Sequence, residues 1–172
     1  MVLTTGTTIK SPVSNEESGI AQATSFCYRV LGFKHTFLRS FKMGLDMWAF
    51  AVPKDLVKHA PTDVEFGDDT EKAQEDLASW RKHHDLHGWM KNLYNEKGGK
   101  AQSFNCVTVQ LEEKDLNRLE EDVKSNQLPQ TTGFFFGNNP PNDDTIEEDL
   151  EFVQKAREAI KEGKVVYYYS WW

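Results

Sequence analysis

Cysteine is scarce: the 172 residues hold two, Cys27 and Cys106, far apart in the chain. That count excludes the disulfide framework of small secreted domains, and both side chains read as free thiols in a reducing compartment. Long apolar runs are also missing. None approaches the roughly 18 consecutive apolar residues of a membrane span, and no basic stretch followed by an apolar core opens the chain, so neither a membrane anchor nor a signal peptide is expected. The sequence has no GxxxxGK or GxGxxG phosphate loop, no GxSxG elbow and no CxxC pair, and it shows no internal repeat. Acidic residues are plentiful, but no spacing singles out two of them as a catalytic pair.

What is present suits one folded domain. Hydrophobic residues make up 38% and aromatic residues 12%, enough for a core, while 27% charged residues solvate the outside. The charge is unevenly placed. Residues 1–42 hold Lys10, Arg29, Lys34, Arg39 and Lys42 against Glu16 and Glu17, a net of +3, which leaves −10 of the total −7 for residues 43–172. An acidic domain is repelled by phosphate backbones, so nucleic acid is not an expected partner, and a basic protein suits it better.

Residues 1–20 are rich in Thr, Ser and Gly without periodicity, and residues 20–42 add aromatics and bases with room for a short helix around 20–31. We read 1–42 as an N-terminal extension, disordered or loosely packed, and 43–172 as a single α+β domain. Its expected architecture is a small, mainly antiparallel sheet of three or four strands packed against about three helices. Residues 45–52 form an apolar strand ended by Pro53, with Leu45, Met47, Ala49 and Ala51 on one face and Asp46, Trp48 and Phe50 on the other. Residues 54–70 read as a loop with room for a brief helical turn. A first helix is expected over 71–96, stopped at Gly98-Gly99, then a strand over 103–111 and a second helix over 113–126 with Leu116, Leu119 and Val123 at 3-4 spacing. Gly133-Phe-Phe-Phe-Gly137 suggests a strand fragment leading into a Pro-rich loop. A third helix starts near Asp144 or Thr145 with acids in its first turn and ends at Gly163, and residues 164–172 read as a strand apolar on both faces, which suits a central position or a contact surface.

Several side chains could carry chemistry. His83 and His87, four apart on one side of the first helix, could hold zinc given a third ligand, yet no Glu follows His83 and no Cys pair is near; we expect no metal and no cofactor. The plainer reading borders the apolar face with both rings, against Trp80 and Tyr94, and puts His84 on the polar side. Asp46 is the sharper anomaly, a carboxylate in an otherwise apolar strand, which must be paired or stand at a site opening. Arg157 lies among Ile146, Leu150, Val153 and Ile160 on the third helix. Arg157, Arg81 and His87 are the expected donors to Asp46. Phe135, Tyr168 and Trp172 represent aromatic clusters that could be core or a partner surface.

Taken in order, Met43-Gly-Leu-Asp-Met47, Trp80-Arg-Lys82 with His87 and Trp89, Gly133-Phe-Phe-Phe-Gly137, Glu148-Asp149-Leu150-Glu151 and the aromatic strand Tyr167–Trp172 make the chain resemble a group of small tailed-phage proteins of uncharacterised function. The likeness covers about 130 residues; His83, His84 and residues 1–42 have no counterpart in it. Members sometimes carry a phosphoglycerate-kinase label, but this chain is too short for that two-domain enzyme and lacks a phosphate loop. The resemblance implies a phage accessory protein acting in the cytoplasm of the infected host. We expect a protein-binding module whose partner is a host or phage protein. The alternative is an enzyme or small-ligand-binding domain with a polar site around Asp46, Arg81 and His87.

Overall fold

The computed structural model describes residues 44–58, 60–131 and 143–172. Strand β1, Asp46–Pro53, alternates as expected. Met47, Ala49 and Ala51 join a core cluster under the helices, while Phe50 and Val52, with half-buried Trp48, join a second cluster on the other side. A strand covered on both faces needs apolar residues at nearly every position, which is why the run reads as continuous. Pro53 closes the strand, where its missing N–H matters least, and a short 3-10 turn, Lys54–Leu56, follows.

Helix α1, Asp68–Ala73, leads into strand β2, Glu75–Arg81; helix α2 spans His84–Glu96, strand β3 Thr108–Leu111, helix α3 Glu113–Lys124, helix α4 Asp143–Lys161 and strand β4 Lys164–Trp171. The four strands form one sheet in the order β2-β1-β4-β3, antiparallel throughout. The fold is therefore α+β. β4 takes the central place, one of the two roles expected of it, running beside β1 from Asp46↔Trp171 to Pro53↔Lys164 and beside β3 on its other side.

The expected first helix over 71–96 is three elements instead. Glu, Lys and Ala favour a helix locally, but Trp80 and Ala78 lie opposite Met47 and Ala49 of β1, and Trp80 packs edge-on against Phe152 of α4 at 5.1 Å. Those long-range contacts outweigh local propensity. The pairing slips by one residue between Ala49 and Phe50, a bulge at Leu77 that also hides the strand's period. The strand expected over 103–111 is confined to 108–111, because Cys106 sits in the left-handed region at φ 58°. Cys106 is also not the free thiol expected: it is disulfide-bonded. Cys27, the N-terminal extension and the 133–137 segment lie outside the described residues.

The stops of α2 and α4 are as read. Gly98 and Gly163 adopt φ 84° and 83° just past α2 and α4, conformations open to glycine at no steric cost. α3 ends two residues earlier than expected and begins with a reciprocal capping box between Glu112 and Asp115, while Leu116, Leu119 and Val123 are buried. Residues 61–63 run along the outer side of β3: Gln110 N–H donates to the Pro61 carbonyl at 2.9 Å, and Asp63 N–H donates to that of Thr108 at 3.1 Å. No helix among the described residues is long and apolar enough to cross a membrane.

Candidate functional site

Strand alternation and register bring two rows of side chains together on the sheet face opposite the helices. In the first, Arg81 of β2, Asp46 of β1 and Trp171 of β4 stand side by side; in the second, Ser79, Trp48 and Tyr169 do the same. Arg81 Nη1 donates to Asp46 Oδ1 at 2.8 Å, with the Asp46 side chain 22% exposed and that of Arg81 49%. Asp46 thus has one of its expected donors. Its partial burial raises the carboxyl above the usual Asp range, and the Arg81 charge offsets part of that rise. Trp48 and Trp171 are half-buried, and the Trp48 ring lies 6.0 Å from that of Tyr169. Deeper in the same face, Phe66 meets Phe50 and Tyr167 edge to face at 5.3 and 5.2 Å. The Tyr167 hydroxyl is buried without a hydrogen-bond partner among the described residues, and burial pushes its ionisation up to about 12.

His87 stands on the other side of the sheet. Its Nδ1 lies 2.9 Å from the Tyr168 hydroxyl, and its ring leans on Phe104 at 5.2 Å, within the cluster beneath the helices. Burial, aided by the nearby Lys91 charge, lowers its pKa to about 4, so the imidazole is neutral at pH 7. Arg157 is elsewhere again. Its Nη2 donates to Asn117 Oδ1 at 2.6 Å and to Glu120 Oε2 at 2.5 Å, tying α4 to α3. The expected polar site of Asp46, Arg81 and His87 is therefore split: two members share one face, and the third is sealed behind the sheet.

The two histidines considered for zinc are likewise separate. His83 caps α2, its Nδ1 accepting from Leu86 N–H at 3.4 Å, while its Nε2 lies 2.8 Å from Asp149 Oδ2. Both side chains of that pair are almost wholly buried, and Asp149 Oδ1 has no partner among the described residues. The stacking expected against Trp80 and Tyr94 is replaced by these bonds and, for His87, by Phe104 and Tyr168. His84, expected on the polar side, is buried with Nδ1 3.2 Å from the Lys82 carbonyl, and Asp85 beside it accepts from Thr131 N–H at 2.9 Å. Among the described residues no group of three or more His, Cys, Asp or Glu could hold a metal ion.

Of the aromatics considered as a partner surface, Tyr168 belongs to the core: it is fully buried and bonded to His87. Phe135 lies outside the described residues. Trp172 is half-buried, held by its N–H to Asn105 Oδ1 at 3.1 Å and by its ring N–H to the Phe104 carbonyl at 3.4 Å. Sequence reasoning missed Trp48 and Trp171 as site residues; the parity that puts Trp48 on Asp46's face was the available signal, and the placing of Trp171 beside Asp46 needed the register. Together the first row and Trp48 define a charged and aromatic patch on the sheet. No family model, no curated protein and no solved structure matches the chain.

Proposed function

We propose that this chain is a protein-binding module, a phage accessory protein acting in the infected host, and that the Asp46–Arg81–Trp48–Trp171 patch contacts its partner. The phage setting rests on the motif resemblance. One observation carries the binding reading: a half-exposed Arg–Asp pair flanked by two half-buried tryptophans on a sheet. Trp and Arg are the residues that most often dominate interface energetics, because each offers large area and a polar handle at low entropic loss. An acidic chain, −7 overall, favours a basic surface on the partner. The rival ligand-site reading needs Asp46, Arg81 and His87 in one cleft, and the sheet stands between them.

Affinity capture from infected cells tests the reading when run with three proteins in parallel. The wild-type chain should retain a host or phage protein, Trp48→Ala should lose it, and Lys155→Ala, a change on the exposed face of α4, should keep it. Equal retention by all three proteins would rule out the patch as the contact surface.

A further inference from the structure

The two edges of the sheet differ. β3 is partly covered by residues 61–63, whereas among the described residues no strand pairs with the outer side of β2. Lys82 N–H donates to the Leu45 carbonyl at 2.8 Å, so by strand alternation Ala78 and Trp80 turn their backbone groups toward β1, and Ser79 and Arg81 turn theirs outward. Exposed edges of this kind can take up another strand. The side chains along this one are sorted by sign. Glu75 and Asp76 lie at its start and Arg81 and Lys82 at its end, all of them exposed, with Ser79 between.

We infer that the outer edge of β2 is a self-association surface, on which a second copy of the chain pairs β2 to β2 in antiparallel sense about a two-fold axis near Ser79. In that arrangement the acidic start of each strand lies beside the basic end of the other, with Asp76 of one copy against Lys82 of the second. A parallel partner would set like charges together, so the charge order selects the antiparallel one. End charges on an edge strand normally discourage pairing with arbitrary strands; sorted by sign, they admit the one strand with the complementary order, which is the chain's own. Asp76 and Lys82 are suited to this contact: both side chains are exposed, and Asp76 accepts a hydrogen bond from nearby Gln74 at 3.1 Å, a bond within its own strand end. Arg81 belongs both to this edge strand and to the patch, but the charges tested below are those of Asp76 and Lys82, which lie outside the patch.

Light scattering coupled to size exclusion, on the full chain, tests it. The wild-type protein should run at twice its 19.8 kDa. Asp76→Lys and Lys82→Glu should each fall to the single-chain mass, since each sets like charges together. Mixing these two variants, or combining both changes in one chain, restores opposite charges and should restore the double mass. Ser79→Pro should also give single chains, because it removes an outward N–H and no bond to β1; unchanged circular dichroism would show that the variant still folds. Wild-type protein at the single-chain mass, or a double mass indifferent to these changes, would overturn the inference, whatever the outcome of the capture experiment.

Discussion

Asp46 and Arg81 face each other across β1 and β2 and are joined by a 2.8 Å hydrogen bond. The pair explains how a carboxylate is tolerated in an apolar strand: its register partner is a cation, and both reach solvent. Being half-exposed, such a pair couples weakly, by about 1 kcal/mol or less. Urea melts of Asp46→Asn, Arg81→Ala and the double variant should show that non-additivity, with the second change adding little to the first. Strictly additive effects would mean that the contact does not hold the strands.

His87 and Tyr168 should make stability depend on acid. The His87 pKa is lowered from 6.5 to about 4, so between those values the unfolded chain binds a proton that the folded chain refuses. Stability from this group is complete above pH 6.5 and is lost as pH falls toward 4, with a slope reaching about 1.4 kcal/mol per pH unit. In His87→Gln, which keeps an acceptor for the Tyr168 hydroxyl, that slope should be absent. Stability measured by urea at steps from pH 7 to pH 4 checks it.

The buried His83–Asp149 contact joins the start of α2 to α4. Removing the ring in His83→Ala deprives a buried carboxylate of its partner and α2 of its cap, and should destabilise by about 3 kcal/mol or more. A loss below about 1 kcal/mol, measured in urea, would indicate that Asp149 finds another donor.

Arg157 bridges α4 to Glu120 and Asn117 on α3. Arg157→Ala should cost no more than about 1 kcal/mol, because the contact is near the surface, and should leave partner capture unchanged.

The parts of the fold that were legible are those whose information is local. Alternation in residues 45–52 gives β1 and its two faces, the 3-4 spacing of Leu116, Leu119 and Val123 gives α3, and Gly98 and Gly163 mark helix ends by their conformation. β2 was hidden because Glu75–Arg81 is short, bulged and rich in helix formers, and its reason for being extended is β1, some 30 residues earlier in the chain. The site was half legible. Asp46 announces a partner by its burial pattern, and Arg81 was among the candidates, but choosing it over His87 or Arg157 required the register. The buried His83–Asp149 pair spans 66 residues, and neither end has a local sign of the other.

The Asp46–Arg81–Trp48–Trp171 patch is proposed as the partner-binding surface. Oxidative footprinting of the full chain, in buffer and in extract of infected cells, tests it directly by comparing Trp48 and Trp171 with Leu56, the large apolar side chain most open to solvent among the described residues. The account predicts that the extract protects both tryptophans and leaves Leu56 unchanged. Equal labelling of all three side chains in buffer and extract would contradict it.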